Sequence, residues 1–286
     1  MTEAINRYDI AVLLPTRGRT DALTRSIFSL MNRAQNISKI KLMLGFDEDD
    51  EVGINHFMNN IKPELDRRGV KYETLAFVPM GYIRLNEYVN HLAQKVTARW
   101  YMFWNDDAMM ETTNWDNEIT KHNNEFKILA VHTHREHPYS IFPIVPRAWL
   151  DLFGYLSPHQ MSDAWISQIS YLVDIYQRID VWVTHDRFDL TGNNFDDTFK
   201  NRPQLEGNPD NPNDFHSENW HNRRMHDTEK VSNHMKELGM DTSWWEKVKN
   251  NEQNPWEKLE ANDINHQMTS TRSAHSIIGN VNVSTT

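Results

Sequence analysis

Cysteine is missing altogether from the 286 residues. Its absence excludes disulfide scaffolds, zinc-thiolate centres and thiol nucleophiles, so any metal must be held by oxygen or imidazole. Long apolar runs are missing too. None approaches the roughly 20 residues needed to span a bilayer, and the amino terminus has no basic-then-apolar leader. Together these absences imply a soluble, cytoplasmic protein with no membrane span. Positive charge is scarce: 30 Lys and Arg face 40 Asp and Glu, for a formal net charge of -10 and a sequence pI of 5.8. That balance argues against a protein that coats nucleic acid electrostatically, although a local basic groove is compatible with it. Internal repeats are also absent.

What is present is enough apolar material for a sizeable core. Hydrophobic residues make up 38% of the chain and ten are tryptophans, which excludes a wholly disordered protein. A mean hydropathy of -0.72 assigns much of the remainder to surface and loops.

The apolar residues fall into alternating periods. Ile10 to Leu14 form a continuous buried-strand run, and Leu23, Ile27, Leu30 and Ala34 then share one helical face. Ile40, Leu42, Leu44 and Phe46 alternate with other residues before an acidic end, Asp47 to Asp50, as a second strand would. Ile54, Met58, Ile61 and Leu65 give a second helical stripe, with Pro63 as a potential break. Tyr72 to Val78 read as a third strand, Leu85, Tyr88, Leu92 and Val96 as a third helix, and Trp100 to Trp104 as a fourth strand. This alternation predicts an α/β protein with a mostly parallel central sheet flanked by helices.

Such sheets bind ligands outside the carboxyl ends of their strands. Three polar clusters fall there: Thr16-Arg17-Gly18-Arg19, Asp47 to Asp50, and Asn105-Asp106-Asp107. The first can present donors and positive charge to a phosphate, though taken alone a solvated turn is the better explanation of it. The second has an ordinary explanation as the acidic start of a helix. For the third, an exposed turn is the plain alternative. Paired carboxylates that end a strongly hydrophobic strand are better suited to a divalent cation that clamps phosphate oxygens.

At these residues the chain resembles the nucleotide-sugar-dependent glycosyltransferases of GT-A fold, and in particular the large inverting glycosyltransferase family two. The matching stretches are VLLPTRGR, GFDEDD, GYIRLNEYVNHLAQ and WNDDA, the last in the place of that family's Asp-X-Asp motif. They cover roughly residues 8 to 110. Each is individually degenerate, and their order carries the resemblance. It implies a Rossmann-like GT-A-type domain in which Pro15, Thr16, Arg17 and Arg19 line the nucleotide pocket. Asp47 would contact base or ribose, Arg84 and Asn86 would flank the donor, and Asp106 would meet the donor ribose. Asp107 would be the direct ligand of Mn2+ or Mg2+. Asn105 departs from the family's first acid and leaves a two-aspartate version of the motif.

The same resemblance nominates Asp163 as the catalytic base and His185 as an additional metal ligand. The plain alternatives are a helix cap at Ser162 or Asp163 and a structural histidine. His132, Thr133, His134 and His137 form a His-X-His pattern without a helical ligand motif, which suits acceptor-pocket or surface residues better than a metallohydrolase.

From about Leu190 the composition turns to Asn, Asp and Pro. We therefore expect a catalytic domain over 1–190, a loop-rich and helical extension over 191–267 that serves as lid or acceptor region, and a flexible tail over 268–286. Within the extension we expect a short helix from about Asp227 to Leu238. Arg202, Arg223 and Arg224 are candidates to meet diphosphate, with scattered surface cations the simpler reading. Trp244, Trp245 and Trp256 more commonly pack than stack on a sugar.

The sequence thus points to transfer of a sugar from a nucleoside-diphosphate sugar to an acceptor hydroxyl, metal-dependent and with inversion, by a hexosyl- or pentosyltransferase. A saccharide is the default acceptor, and a hydroxylated base in DNA the alternative. Two rivals belong to other classes. A nucleotidyltransferase usually carries a glycine-rich, lysine-bearing loop where this chain has PTRGRT. A noncatalytic sugar- or nucleic-acid-binding module would not need the aligned acids.

Overall fold

A computed structural model of the chain describes residues 7–133, 140–186 and 213–255. The first strand, β1 (Tyr8–Thr16), leads into α1 (Thr20–Arg33), and β2 (Ile40–Asp47) follows beside it. The second helical stripe is divided. It comprises α2 (Glu51–His56), a wide π-helical turn at Phe57–Ile61, and α3 (Lys62–Arg67). Pro63 opens α3, and because proline has no N–H to donate to the preceding turn, the irregularity falls just before it. Then come β3 (Lys71–Phe77), α4 (Leu85–Gln94), β4 (Ala98–Phe103), the short β5 (Ala108–Met110) and α5 (Trp115–Thr120).

The second half contains β6 (Ile128–Thr133), β7 (Ile144–Pro146), α6 (Arg147–Phe153), α7 (Ser162–Leu172) and β8 (Tyr176–His185). After a stretch outside the described residues it continues with α8 (Glu218–Glu237) and α9 (Ser243–Lys249). Among the described residues eight strands form one sheet in the order β3-β2-β1-β4-β7-β6-β8-β5. Strands β1 to β4 pair in parallel, as do β6 and β8. The short β7 is antiparallel to both neighbours, and β5 is antiparallel to β8. The central sheet is therefore mostly parallel, as its apolar runs predict.

Strand alternation divides the core between the two faces. Ile10, Val12 and Leu14 of β1 join Trp100, Met102 and Trp104 on the face covered by α1, α3 and α5. Ala11 and Leu13 join Tyr101 and Phe103 on the other face, with residues of α4, α6, α7, α8 and α9. Trp245 of α9 is buried in that second cluster, the packing use expected of it. Trp256 lies outside the described residues.

The helix expected near Asp227 begins nine residues earlier, at Glu218. Its inward stripe runs through Arg224, Asp227, Thr228, Val231, Ser232 and Met235. The spacing is helical, but four of its six members are polar, so hydropathy does not reveal the period. Among the described residues no helix is long and apolar enough to cross a membrane.

Candidate active site

Strand order reverses between β1 and β4. From β1 the chain crosses to β2 and β3 on one side, then returns to place β4 on the other. At such a switch point the following loops diverge and leave a crevice at the carboxyl edge. Thr16 ends β1, and Asp106 lies just beyond β4. Across the crevice, Thr16 Oγ1 donates to Asp106 Oδ2 at 2.7 Å.

The turn that carries the acids is fixed from below. Trp104 N–H donates to the Leu13 carbonyl at 3.0 Å, and Ala108 N–H to the Asn105 carbonyl at 3.1 Å. From α1, Ser26 Oγ donates to the Asn105 carbonyl at 3.0 Å and accepts from Trp104 Nε1 at 2.7 Å. Ser29 Oγ accepts from Met110 N–H at 2.8 Å. Both carboxylates are buried.

Arg19 joins them. Its Nη1 donates to Asp106 Oδ1 at 2.9 Å and to Asp107 Oδ2 at 3.0 Å. His185, at the end of β8, is opposite Ala108 in the β5–β8 pairing, and its Nε2 lies 3.1 Å from Asp107 Oδ1. Phe142 packs edge-on to the imidazole at a ring separation of 5.0 Å. Burial, with the Asp107 charge alongside, pushes Asp106 up to about 6 against the pull of Arg19 and Thr16. Burial also acts to raise Asp107, but His185 and Arg19 outweigh it and hold that carboxyl below its ordinary value.

These contacts define what is left for a cation. Both Asp106 oxygens and Asp107 Oδ2 already accept hydrogen bonds. Asp107 Oδ1 and His185 Nε2 converge without a well-formed hydrogen bond, because Oδ1 has no such partner among the described residues. Asn105 Nδ2 also approaches His185 Nε2, at 3.4 Å. With the imidazole proton on Nδ1, Nε2 keeps its one lone pair, and when that is not taken up by Asn105 it can turn with Oδ1 to the same divalent ion. Among the described residues no group of three or more His, Asp or Glu could hold an ion alone. The described residues therefore do not form a closed protein cage, and an ion held by Asp107 and His185 would need further ligands from outside them.

The other two clusters are bound to each other. Gly18, at φ +69°, needs the left-handed conformation that glycine adopts freely. This turn brings its N–H within 2.8 Å of Asp50 Oδ2. Asp50 Oδ1 caps α2 by accepting from Gly53 N–H at 3.0 Å. Arg17 Nη1 donates to Asp47 Oδ2 at 2.7 Å, and the same guanidinium pairs with exposed Asp49. The other oxygen of Asp47 accepts from Tyr88 O–H, and burial, then that bond to Asp47, pushes the phenol up to about 12.

Pro15 remains within β1, opposite Gly45. Arg84 is exposed and paired with Glu87 on α4. Asn86 is buried, and its Nδ2 is 3.5 Å from the Ser157 carbonyl. Asn90, one turn further, donates to that carbonyl at 2.7 Å and accepts from Leu156 N–H at 2.8 Å. Asp163 lies in the first turn of α7, half-buried, with Oδ1 accepting from Ala164 N–H at 2.8 Å. Topology places it on the same edge as the acids. Because β8 is parallel to β6 and runs in the direction of β4, the helix that feeds β8 starts at the carboxyl end. His134, His137 and Arg202 lie outside the described residues. His132 stacks on Trp182 at 4.5 Å. Arg223 pairs with Asp227, and Arg224 donates to the Phe215 carbonyl at 2.7 Å. Sequence reasoning missed the hydroxyls of Tyr88 and Ser26 and the amide of Asn90. Tyr88 was legible only as a core position, and Asn90 only as a polar residue one turn from Asn86.

The arrangement is that of an α/β protein with an acid pair and a guanidinium at the switch point of its sheet. No family model matches the chain, and no curated protein matches its sequence. Solved structures do match in fold. The mannosyltransferase PcManGT from Pyrobaculum calidifontis, in complex with GDP-Man and Mn2+, superposes with a TM-score of 0.53 at 10% identity, over 63% of this chain and 57% of that one. Two structures of S. aureus TarS 1-349 give TM-scores of 0.49. The complex with UDP is 11% identical over 62% of this chain and 60% of that one. The complex with UDP-GlcNAc is 12% identical over 67% and 64%. The chain thus spans about three fifths of the length of these neighbours, and at 10% identity the likeness to PcManGT is one of fold.

Proposed function

We propose that this protein is a GT-A-type glycosyltransferase that moves a sugar from a nucleoside-diphosphate donor to an acceptor hydroxyl, with inversion at the transferred carbon. The observation that carries this reading is the buried Asp106–Asp107 pair at the β1–β4 switch point, faced by Arg19 and His185. The fold shared with PcManGT supports it.

On this reading Asp107 Oδ1 and His185 Nε2 would hold Mn2+ or Mg2+, which would supply positive charge against the departing nucleoside diphosphate. Thr16 keeps Asp106 fixed at the ribose side. Arg17, Asp47 and Tyr88 close the nucleotide end, and Asn86 and Asn90 position the Ser157 loop that leads to α7. From the start of α7, Asp163 accepts the proton of the acceptor hydroxyl as that oxygen attacks the sugar carbon from the face opposite the leaving diphosphate. The acceptor is proposed to be a saccharide.

A thermal-shift screen of UDP-, GDP-, CMP- and TDP-linked sugars, each with Mn2+, Mg2+ or chelator, tests the donor half, because a ligand specific to the folded state raises the melting temperature. A metal-dependent shift with one donor is expected, and the absence of a shift with any of them would refute the reading. Asp163→Asn tests the base. It should leave that shift intact while transfer falls by roughly a hundredfold or more, and wild-type turnover in this variant would reassign the residue to capping.

A further inference from the structure

The acid pair has an internal counter-charge. Arg19 Nη1 lies between the carboxylates, 2.9 Å from Asp106 Oδ1 and 3.0 Å from Asp107 Oδ2. Two buried carboxylates at this separation repel each other unless a cation stands between them. Among the described residues the other side chains that meet them are Thr16, through its hydroxyl, and His185, through its imidazole.

The oxygen that Arg19 holds and the oxygen left for a metal belong to the same carboxylate of Asp107. A divalent ion on Oδ1 would therefore face the guanidinium across one carboxyl group, cation against cation. In a site shielded from water that repulsion is only weakly screened. A diphosphate reverses the balance. It brings several negative charges and a geometry that a guanidinium grips with two donors at once. The Arg19 side chain is 20% exposed, against 7% and 5% for the two acids. Within the cluster it is therefore the member that reaches towards an incoming phosphate. Its backbone follows Gly18 at the mouth of the crevice, on a loop tied down through Asp50, so the side chain moves about a fixed base.

We propose that Arg19 is a transferable counter-cation: it neutralises the acid pair in the free protein and passes to the diphosphate when the donor enters, so that metal and nucleotide bind as a coupled pair. The inference rests on the donor reading above, since it takes the ligand to be a nucleoside diphosphate with a divalent ion.

The test measures free Mn2+ by electron paramagnetic resonance, using the full chain and UDP and GDP as probes. Wild-type protein should bind Mn2+ weakly alone and on the order of tenfold more tightly with one of the nucleotides, within the usual range of coupling between sites. Arg19→Gln, which keeps a polar side chain without the charge, should bind Mn2+ alone about tenfold more tightly than wild type and lose the coupling. Arg19→Lys, which keeps the charge, should bind Mn2+ alone as weakly as wild type, and this separates the effect of charge from that of packing.

If Arg19→Gln does not fold, the same substitution in an Asp106→Asn background, read against Asp106→Asn alone, removes the need for a cation between two acids. Coupling in wild type that persists unchanged in the Gln variant overturns the role of Arg19 and leaves the donor reading standing. Absence of both Mn2+ and nucleotide binding in folded wild-type protein overturns the donor reading, and this proposal with it.

Discussion

Two acidic turns lie on the same edge of the sheet, four carboxylates from Asp47 to Asp50, with Glu48 exposed, and two at Asp106 and Asp107, and they differ in what their charges are attached to. In the first turn the carboxylates have short-range structural work. Asp50 caps α2 and holds Gly18, Asp49 lies exposed against Arg17, and Asp47 accepts from Arg17 and Tyr88. In the second, both acids are buried side by side, one shared guanidinium links them, and one oxygen is left over. A cluster of acids is a solvated or capping feature when exposure or donors to both oxygens compensate each charge. It becomes a candidate for chemistry when burial leaves the charges under-compensated.

The sharpest break in this comparison is Asp107→Asn. It removes the charge from the one carboxylate with an oxygen available for a metal, and metal-assisted donor affinity should fall by roughly a hundredfold or more, since disturbing even the outer shell of a metal site costs up to that. Calorimetric titration of donor with and without Mn2+ checks it, and wild-type affinity would remove Asp107 from the site. Asp47→Asn, the matched change in the first turn, should weaken the same titration without abolishing its Mn2+ dependence.

Asp106→Asn comes next and should separate stability from function. A carboxyl whose folded-state pKa lies above its unfolded value costs stability once it ionises, and the cost vanishes as pH falls towards the unfolded value. Asp106 stands at about 6 against an ordinary 3.8. The wild type should therefore gain stability relative to Asp106→Asn as pH falls from 7 to 5. Asp107, held below its ordinary value, opposes this trend only at more acidic pH. The difference should be on the order of 1–3 kcal/mol at neutral pH in favour of the variant, while donor binding weakens. Melting temperatures of both proteins across that window measure it, and parallel profiles would refute it.

Much of this was legible in sequence because it depends on local period. Four strands, three helices and the placing of three polar clusters on one edge follow from the spacing of apolar residues between Ile10 and Trp104. The links that give each cluster its character are not local. Arg19 meets acids nearly ninety positions away, and His185 reaches Asp107 only because β8 returns antiparallel to β5. The start of α8 was hidden for a different reason: its buried stripe includes Arg224, Asp227, Thr228 and Ser232, so the helical period is written in polar residues.

The smallest expected effect lies in the first turn and concerns a glycine. A Cβ on Gly53 would lie 2.2 Å from Asp50 Oδ2, inside any tolerable contact, so the cap and an alanine cannot coexist there. In an ordinary helix Gly→Ala adds roughly 0.5–1 kcal/mol of stability. Here Gly53→Ala should instead cost about 1 kcal/mol, the usual value of a lost cap, and Asp50→Ala should cost somewhat more because it also releases Gly18. Both should lower donor affinity only a few-fold, through a looser Arg17–Arg19 loop, and leave its metal dependence unchanged. Urea denaturation of the two variants, with donor titrations alongside, decides the point. If Asp50→Ala abolished the metal dependence as Asp107→Asn is expected to, the two turns would form a single electrostatic unit, and the division of labour between them would be wrong.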